Sequence, residues 1–235
     1  MANSWFQFQQ FKIHQDRCAM KISTDAILLG SMADAHNPSR ILDIGTGTGV
    51  IALMLAQRFA DAKITGVELD TDAASQAVEN MSQSPFAARL ALWHGRIQDF
   101  PEEEKFDFIV SNPPYFPDHL KSSDAKRNKA LHTDSLSFEE LIQKARKLLK
   151  DQGKFWIILP PRQLEDWKAQ AGDAGFFEDK SIAVYDRDGK PILRVVASFS
   201  LQNLPPSKTE IVLKGAEGAY TESYKKLLSG FLLGY

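Results

Sequence analysis

The chain has 235 residues, 43% of them hydrophobic, and a formal net charge of −2. That suits one substantial core and a single domain, with an N-terminal cap over 1–38 and a core over 39–235; it excludes a global basic field for nucleic acid, so any RNA contact must come from a local patch. The single cysteine, Cys18, excludes an internal disulfide and a cysteine metal cluster, and no stretch reads as a membrane span or signal peptide, so a cytoplasmic monomer without metal is expected.

In chain order, Trp5-Phe6-Gln7-Phe8 to Ile13 alternates in part and reads as a strand or extended cap, followed by a turn at His14–Arg17. Ser23-Thr24-Asp25 offers capping side chains for a short helix, Ala26–Gly30. Strands are then expected near 40–44, 63–67, 88–93, 106–111 and 153–159, with helices near 49–59, 71–82, 137–150 and 162–174. Gly153 is read as a helix stop. This alternation argues for an α/β fold with a mostly parallel sheet and helices on both faces. The last third changes character: Lys180–Arg187, Ile192–Leu201 and Thr209–Lys214 are strand-like, joined by an Asp188-Gly189 turn and a Pro205-Pro206 linker. A final helix carries Tyr220, Tyr224, Leu227, Leu228, Phe231 and Leu232 at helical spacing, which reads as core.

Two stretches carry chemistry. In the first, the strand Ile41–Ile44 runs through Asp43 into Gly45-Thr46-Gly47-Thr48-Gly49, ahead of a helix-period run. Glycines let backbone approach a ligand, and the new helix aims its amides at it. A dinucleotide fingerprint would need glycine or alanine at Val50, and Asp43 suits a cationic amino group better than a pyrophosphate. After the next strand, Glu68 is placed to accept from ribose hydroxyls. In the second, Phe106–Val110 leads into Asn112-Pro113-Pro114-Tyr115. The paired prolines fix the chain direction, so this is either an ordinary turn or a rigid holder of two acceptors, the Asn112 side-chain oxygen and the Pro113 carbonyl, beside the Tyr115 ring. Two such acceptors fit a planar amino group.

Acid–glycine loop, ribose acid and Asn-Pro-Pro-Tyr, in that order, resemble the S-adenosylmethionine-dependent amino methyltransferases. Further matches are Phe11–Lys21, Thr24–Gly30, Val67-Glu68-Leu69, Glu79-Asn80 with Gln83-Ser84-Pro85, and Ser111–Tyr115. With these the chain resembles the bacterial methyltransferases that modify N6 of an adenosine beside the anticodon of valine tRNA. The resemblance implies a Rossmann-like class I methyltransferase fold, a seven-stranded type of sheet with antiparallel C-terminal strands, S-adenosylmethionine as cofactor and tRNA as partner. It implies cofactor contacts from Lys21 and Thr24, which otherwise read as part of an N-terminal cap. The others it implies are Asp43, Gly45, Thr46, Gly47, Gly49, Glu68, Leu69, Ile97 and Asn112. Asn112, Pro113, Pro114 and Tyr115 would form the catalytic segment, with Tyr115 stacking on the target base.

One position departs from the family pattern. After His94-Gly95 an acid is usual, accepting from the adenine amino group, and this chain has Arg96. Asp99 could replace it or be a solvated turn residue; Ile97 could pack on the adenine face. The stretch 121–132 holds Lys121, Lys126, Arg127 and Lys129, either a grip on RNA phosphates or a solvated loop. His132 reads as a capping or surface residue. The rival enzyme is a glutamine-N5 methyltransferase of protein release factors, which shares Asn-Pro-Pro-Tyr but typically carries a separate helical N-terminal domain. A guanine-amino rRNA methyltransferase more often has a duplicated domain. From another class, a non-catalytic S-adenosylmethionine-binding RNA-interaction protein remains, and a dinucleotide oxidoreductase fits least.

Overall fold

A computed structural model describes residues 4–18, 20–114 and 136–235. The N-terminal stretch is a small antiparallel hairpin, β1 (Trp5–Gln7) and β2 (Lys12–His14), with Trp5 opposite His14. Helix α1 (Thr24–Met32) follows, and the Ser23 hydroxyl accepts from the Ala26 N–H at 3.1 Å, as the capping residues predict.

The regular alternation begins with β3 (Arg40–Ile44), α2 (Val50–Arg58), β4 (Lys63–Glu68), α3 (Thr71–Ser82), β5 (Leu90–His94) and β6 (Phe106–Ser111). It continues with α4 (Phe138–Leu148), β7 (Leu149–Leu159) and α5 (Pro161–Asp173). The C-terminal third supplies β8 (Phe177–Arg187), β9 (Ile192–Ser200), β10 (Ser207–Lys214) and α6 (Glu222–Leu228). Tyr224 and Leu228 of the expected helical stripe are buried, whereas Tyr220 precedes the helix and is exposed, and Phe231 is buried just beyond it.

One sheet takes all strands after the hairpin, in the order β10-β8-β9-β7-β6-β3-β4-β5. Alternation along the strands divides the core in two. Ile41, Phe108, Val110, Trp156 and Ile158 pack with α1, α2 and α6, whereas Leu42, Ile44, Ile109, Phe155 and Ile157 pack with α4 and α5. Helix α2 is buried from Val50 to Ala56, which explains its nearly continuous apolar run.

The structure also differs from the sequence reading at the end of α4 and in the sheet. Helix α4 stops at Leu148, and Gly153 lies inside β7 rather than ending the helix. Pairing with β6 decides this: Leu149 is opposite Phe106, and the Lys150 ammonium donates to Asp107 at 2.7 Å. The register shifts at this point, and a Cβ on Gly153 would come within 2.6 Å of the Leu149 side chain. The second difference extends the sheet to eight strands. Only β9 runs against the rest, antiparallel to both β7 and β8, while β10 pairs with β8 in parallel. Ser200 ends β9 opposite Phe177, so the 201–206 link need only pass the start of β8 to lay β10 on its outer edge.

The order also places the ligand edge. From β3 the chain builds outward through β4 and β5 on one side and through β6 and β7 on the other. Open α/β sheets bind ligands at the carboxyl ends of strands beside such a reversal. The glycine loop after β3, Glu68 at the end of β4 and Asn112 after β6 all emerge there.

Candidate active site

The register fixes how these groups stand relative to one another. Ile44 of β3 lies opposite Val67 of β4 and Ser111 of β6, so Gly45, Glu68 and Asn112 leave adjacent strand ends in one row. Two inter-strand spacings separate the Glu68 and Asn112 strands, on the order of 10 Å. The Ser111 hydroxyl donates to the Ile44 carbonyl at 2.9 Å, tying the ends of β3 and β6 together. Asn112 is half-buried, Pro113 buried and Pro114 exposed.

The glycine loop is held from both sides. Gly45 and Thr46 donate their N–H groups to the Val67 carbonyl at 2.9 and 3.0 Å. Gly47, at φ 57°, donates to Glu68 Oε2 at 2.9 Å, a left-handed conformation that a side chain would strain. Gly66 in β4 admits the loop closely, since a Cβ there would lie 2.9 Å from the Thr46 methyl. Glu68 Oε1 accepts from the Leu69 and Asp70 N–H groups, both at 2.9 Å. The carboxylate therefore fastens the loop as well as facing the cleft.

Asp43 is fully buried at the root of this loop. Its Oδ2 accepts from the Thr46 hydroxyl at 2.6 Å and the Ala52 N–H at 3.1 Å, while Oδ1 is buried without a partner. Burial pushes its carboxyl up to about 7, against the opposing pull of those two bonds, and the nearby Glu68 charge adds to the rise. An orphaned buried carboxylate oxygen is one that a cationic amino group would suit.

The cap is bound to the same loop through α3. The Asn80 amide nitrogen donates to the His14 and Thr48 carbonyls, and its oxygen accepts from the His14 N–H at 2.8 Å. Gln76 accepts from the Arg17 and Cys18 N–H groups and donates to Asp16. Both side chains are buried and fix residues 14–18 against the core.

Between these elements lies a cleft of about 370 Å³, lined by Ile44, Gly45, Val67, Glu68, Leu69, Gly95, Arg96, Ile97, Gln98, Pro114 and Leu136. Gly45, Glu68, Leu69, Ile97 and Pro114 of the sequence-derived set thus meet in one cavity, with Thr46, Gly47, Gly49 and Asp43 forming the loop behind it. Thr24 sits in the first turn of α1 and lines two hollows with Tyr220 and Tyr224 instead. Lys21 is exposed, and Asp99 is exposed and absent from the lining. Tyr115, Lys121, Lys126, Arg127, Lys129 and His132 lie outside the described residues. Gln98 and Leu136 are lining residues that sequence reasoning missed. An amide on a turn carries no periodic signal, and Leu136 reaches the cleft only through the placement of α4.

Residues 19–166 match the methyltransferase small domain family. The chain is 40% identical to the tRNA1(Val) (adenine(37)-N6)-methyltransferase of Pedobacter heparinus, covering 98% of each. It is 42% identical to the one of the same name from Actinobacillus pleuropneumoniae serotype 7, covering 97% of each. The chain belongs to the tRNA1(Val) (adenine(37)-N6)-methyltransferase family. Among solved structures, a protein described as a predicted O-methyltransferase from Agrobacterium tumefaciens superposes with a TM-score of 0.68 at 21% identity, over 88% of this chain and 96% of that one. That likeness supports the methyltransferase fold and carries no substrate information. Glu68 and Arg96 line the cleft, and Asp43 is buried behind the glycine loop. No helix among the described residues is long and apolar enough to cross a membrane, and no group of three or more metal-ligating side chains is gathered among them.

Proposed function

We propose that this chain transfers a methyl group from S-adenosylmethionine to the N6 amino group of an adenosine in tRNA, the one beside the anticodon of valine tRNA. The observation that carries the reading is the row of strand ends that sets Asn112-Pro113-Pro114 one strand from the glycine loop and two from Glu68. The names of its 40%-identical relatives support the substrate.

The cofactor, when bound, supplies a methyl group on a sulfonium, open to in-line attack. The chain's own residues would position it: Glu68 would accept from the ribose hydroxyls, the unpartnered Asp43 Oδ1 would answer the ammonium, and Ile97 would pack on the purine. An aromatic amino nitrogen is flattened by conjugation, so its lone pair is poorly available. The Asn112 side-chain oxygen and the Pro113 carbonyl would accept its two hydrogens and favour the pyramidal geometry of attack. The nitrogen would become acidic once it carries the methyl group and would then release its proton to water, so no strong base is required. Tyr115 would stack on the extruded adenosine, a contact worth roughly 1–3 kcal/mol. The basic residues Lys121, Lys126, Arg127 and Lys129 would hold phosphates.

Glu68→Ala is expected to weaken cofactor binding by roughly 1.5–3 kcal/mol, the range for hydrogen bonds to charged groups. Titration calorimetry that returned an unchanged affinity would remove Glu68 from the site. The substrate is tested by offering valine tRNA, the same tRNA with that adenosine replaced, and a release-factor glutamine peptide. Methyl incorporation is expected into the first alone. Equal labelling of the altered tRNA would defeat the assigned base, and preference for the peptide would favour glutamine methylation.

A further inference from the structure

Arg96 stands in the cleft lining where the family pattern has an acid, and the neutral Gln98 lines the same cleft. Residues Ile97–Asp99 form a 3-10 turn after β5, and Gln98 lines the cleft there. Its amide nitrogen donates to Glu140 Oε1 at 3.1 Å. Glu140 lies outside the cleft lining, at the start of α4, where its Oε2 accepts from the Ser137 N–H at 3.0 Å and hydroxyl at 2.8 Å. Those Ser137 and Gln98 bonds, with the Arg96 charge nearby, hold the Glu140 carboxyl below its ordinary range. An ionised carboxylate only accepts, so it selects the NH2 face of the Gln98 amide and leaves the carbonyl oxygen for the other side.

The turn itself is fastened from beneath. The buried Lys144 ammonium donates to the backbone carbonyls of Gln98 at 3.0 Å and Phe100 at 2.6 Å. Gln98 is thus a neutral residue whose backbone is held by Lys144 and whose amide nitrogen is engaged by Glu140, beside the buried, apolar Ile97, and none of the bonds just named uses its side-chain oxygen. An amide oxygen accepts from an N–H or O–H donor, and beside the apolar Ile97 an N–H on the edge of a flat ring fits it.

We propose that Gln98 reads the 6-amino group of the cofactor's adenine, and that Glu140 orients it by holding the amide nitrogen. Gln98 would then replace the usual acid, with Arg96 left to the rim of the cleft. This rests on the methyltransferase reading above.

The test compares S-adenosylhomocysteine with S-inosylhomocysteine, which carries an oxygen in place of the amino group, by titration calorimetry without any turnover. The wild-type chain is expected to prefer the adenosyl ligand by about tenfold, the scale of one hydrogen bond. Gln98→Leu should lose most of that preference, as should Glu140→Gln, in which the pair of amides can flip and present a donor. Thermal melts of each variant check that the fold persists. Retention of the preference in Gln98→Leu, or equal binding of both ligands by the wild type, would overturn this assignment alone. Failure to bind either ligand would overturn the cofactor reading together with it.

Discussion

Asn112→Ala is expected to keep cofactor affinity near that of the wild type and to cut methyl transfer by at least about 10²–10³-fold, the usual cost of deleting one preorganised polar contact at a reacting group. The reasoning is geometric. Asn112 leaves β6 immediately after Ser111, whose hydroxyl is bonded to the Ile44 carbonyl, and before two prolines that restrict the following backbone. Its side chain is therefore carried on a fixed strand end, one strand from the glycine loop. Alanine keeps the strand and removes only the side-chain acceptor. Single-turnover methylation of saturating tRNA measures the step directly. A rate within a few-fold of wild type would sink the two-acceptor mechanism.

The second large effect concerns Asp43 and pH. A carboxyl raised from 3.8 to about 7 keeps its proton in the folded state at pH values where the unfolded chain has lost it. Stability is therefore expected to fall as pH rises from about 4 to about 7 and then to level off, by about 1.4 kcal/mol per pH unit and on the order of 4 kcal/mol in all. Asp107 acts in a different window. Its partial burial favours the neutral form, but bonds from Lys150, Ser39 and Arg40 prevail and hold it at about 2, so its contribution is present above pH 4 and lost toward pH 2. Asp43→Asn should abolish the decline between pH 5 and 7 in thermal melts of the ligand-free protein. It should also weaken cofactor binding, because an ammonium ion favours the ionised Asp43 and an amide offers no charge. In the wild type, affinity should rise with pH up to about 7; in the variant that rise should be absent. Superimposable pH profiles of the two proteins, in stability and in affinity, would rule out Asp43 as the titrating group.

Much of this site was legible in the residue order because its chemistry is local. The acid–glycine loop, Glu68 and Asn112-Pro113-Pro114 each sit directly after a strand, where backbone geometry places them at one sheet edge once the strands are parallel. The apolar runs Ile41–Ile44 and Phe106–Val110 supplied those strands, and Ser23 supplied the start of α1. Three features required the tertiary structure. The end of α4 depends on Leu149 pairing with Phe106 and Lys150 reaching Asp107, contacts 43 residues apart for the ion pair. The parallel placement of β10 depends on where Ser200 finishes relative to Phe177, which the strand-like patterns of the C-terminal third leave open. The protonation of Asp43 depends on burial that the residue type does not reveal, since the same acid with both oxygens partnered or wet would ionise normally. Gln98 belongs with them. Its orientation comes from Glu140, 42 residues later, and only packing of α4 against the 97–99 turn brings the two together. Short-range pattern specifies which groups stand at the strand ends; long-range packing decides their burial, orientation and charge.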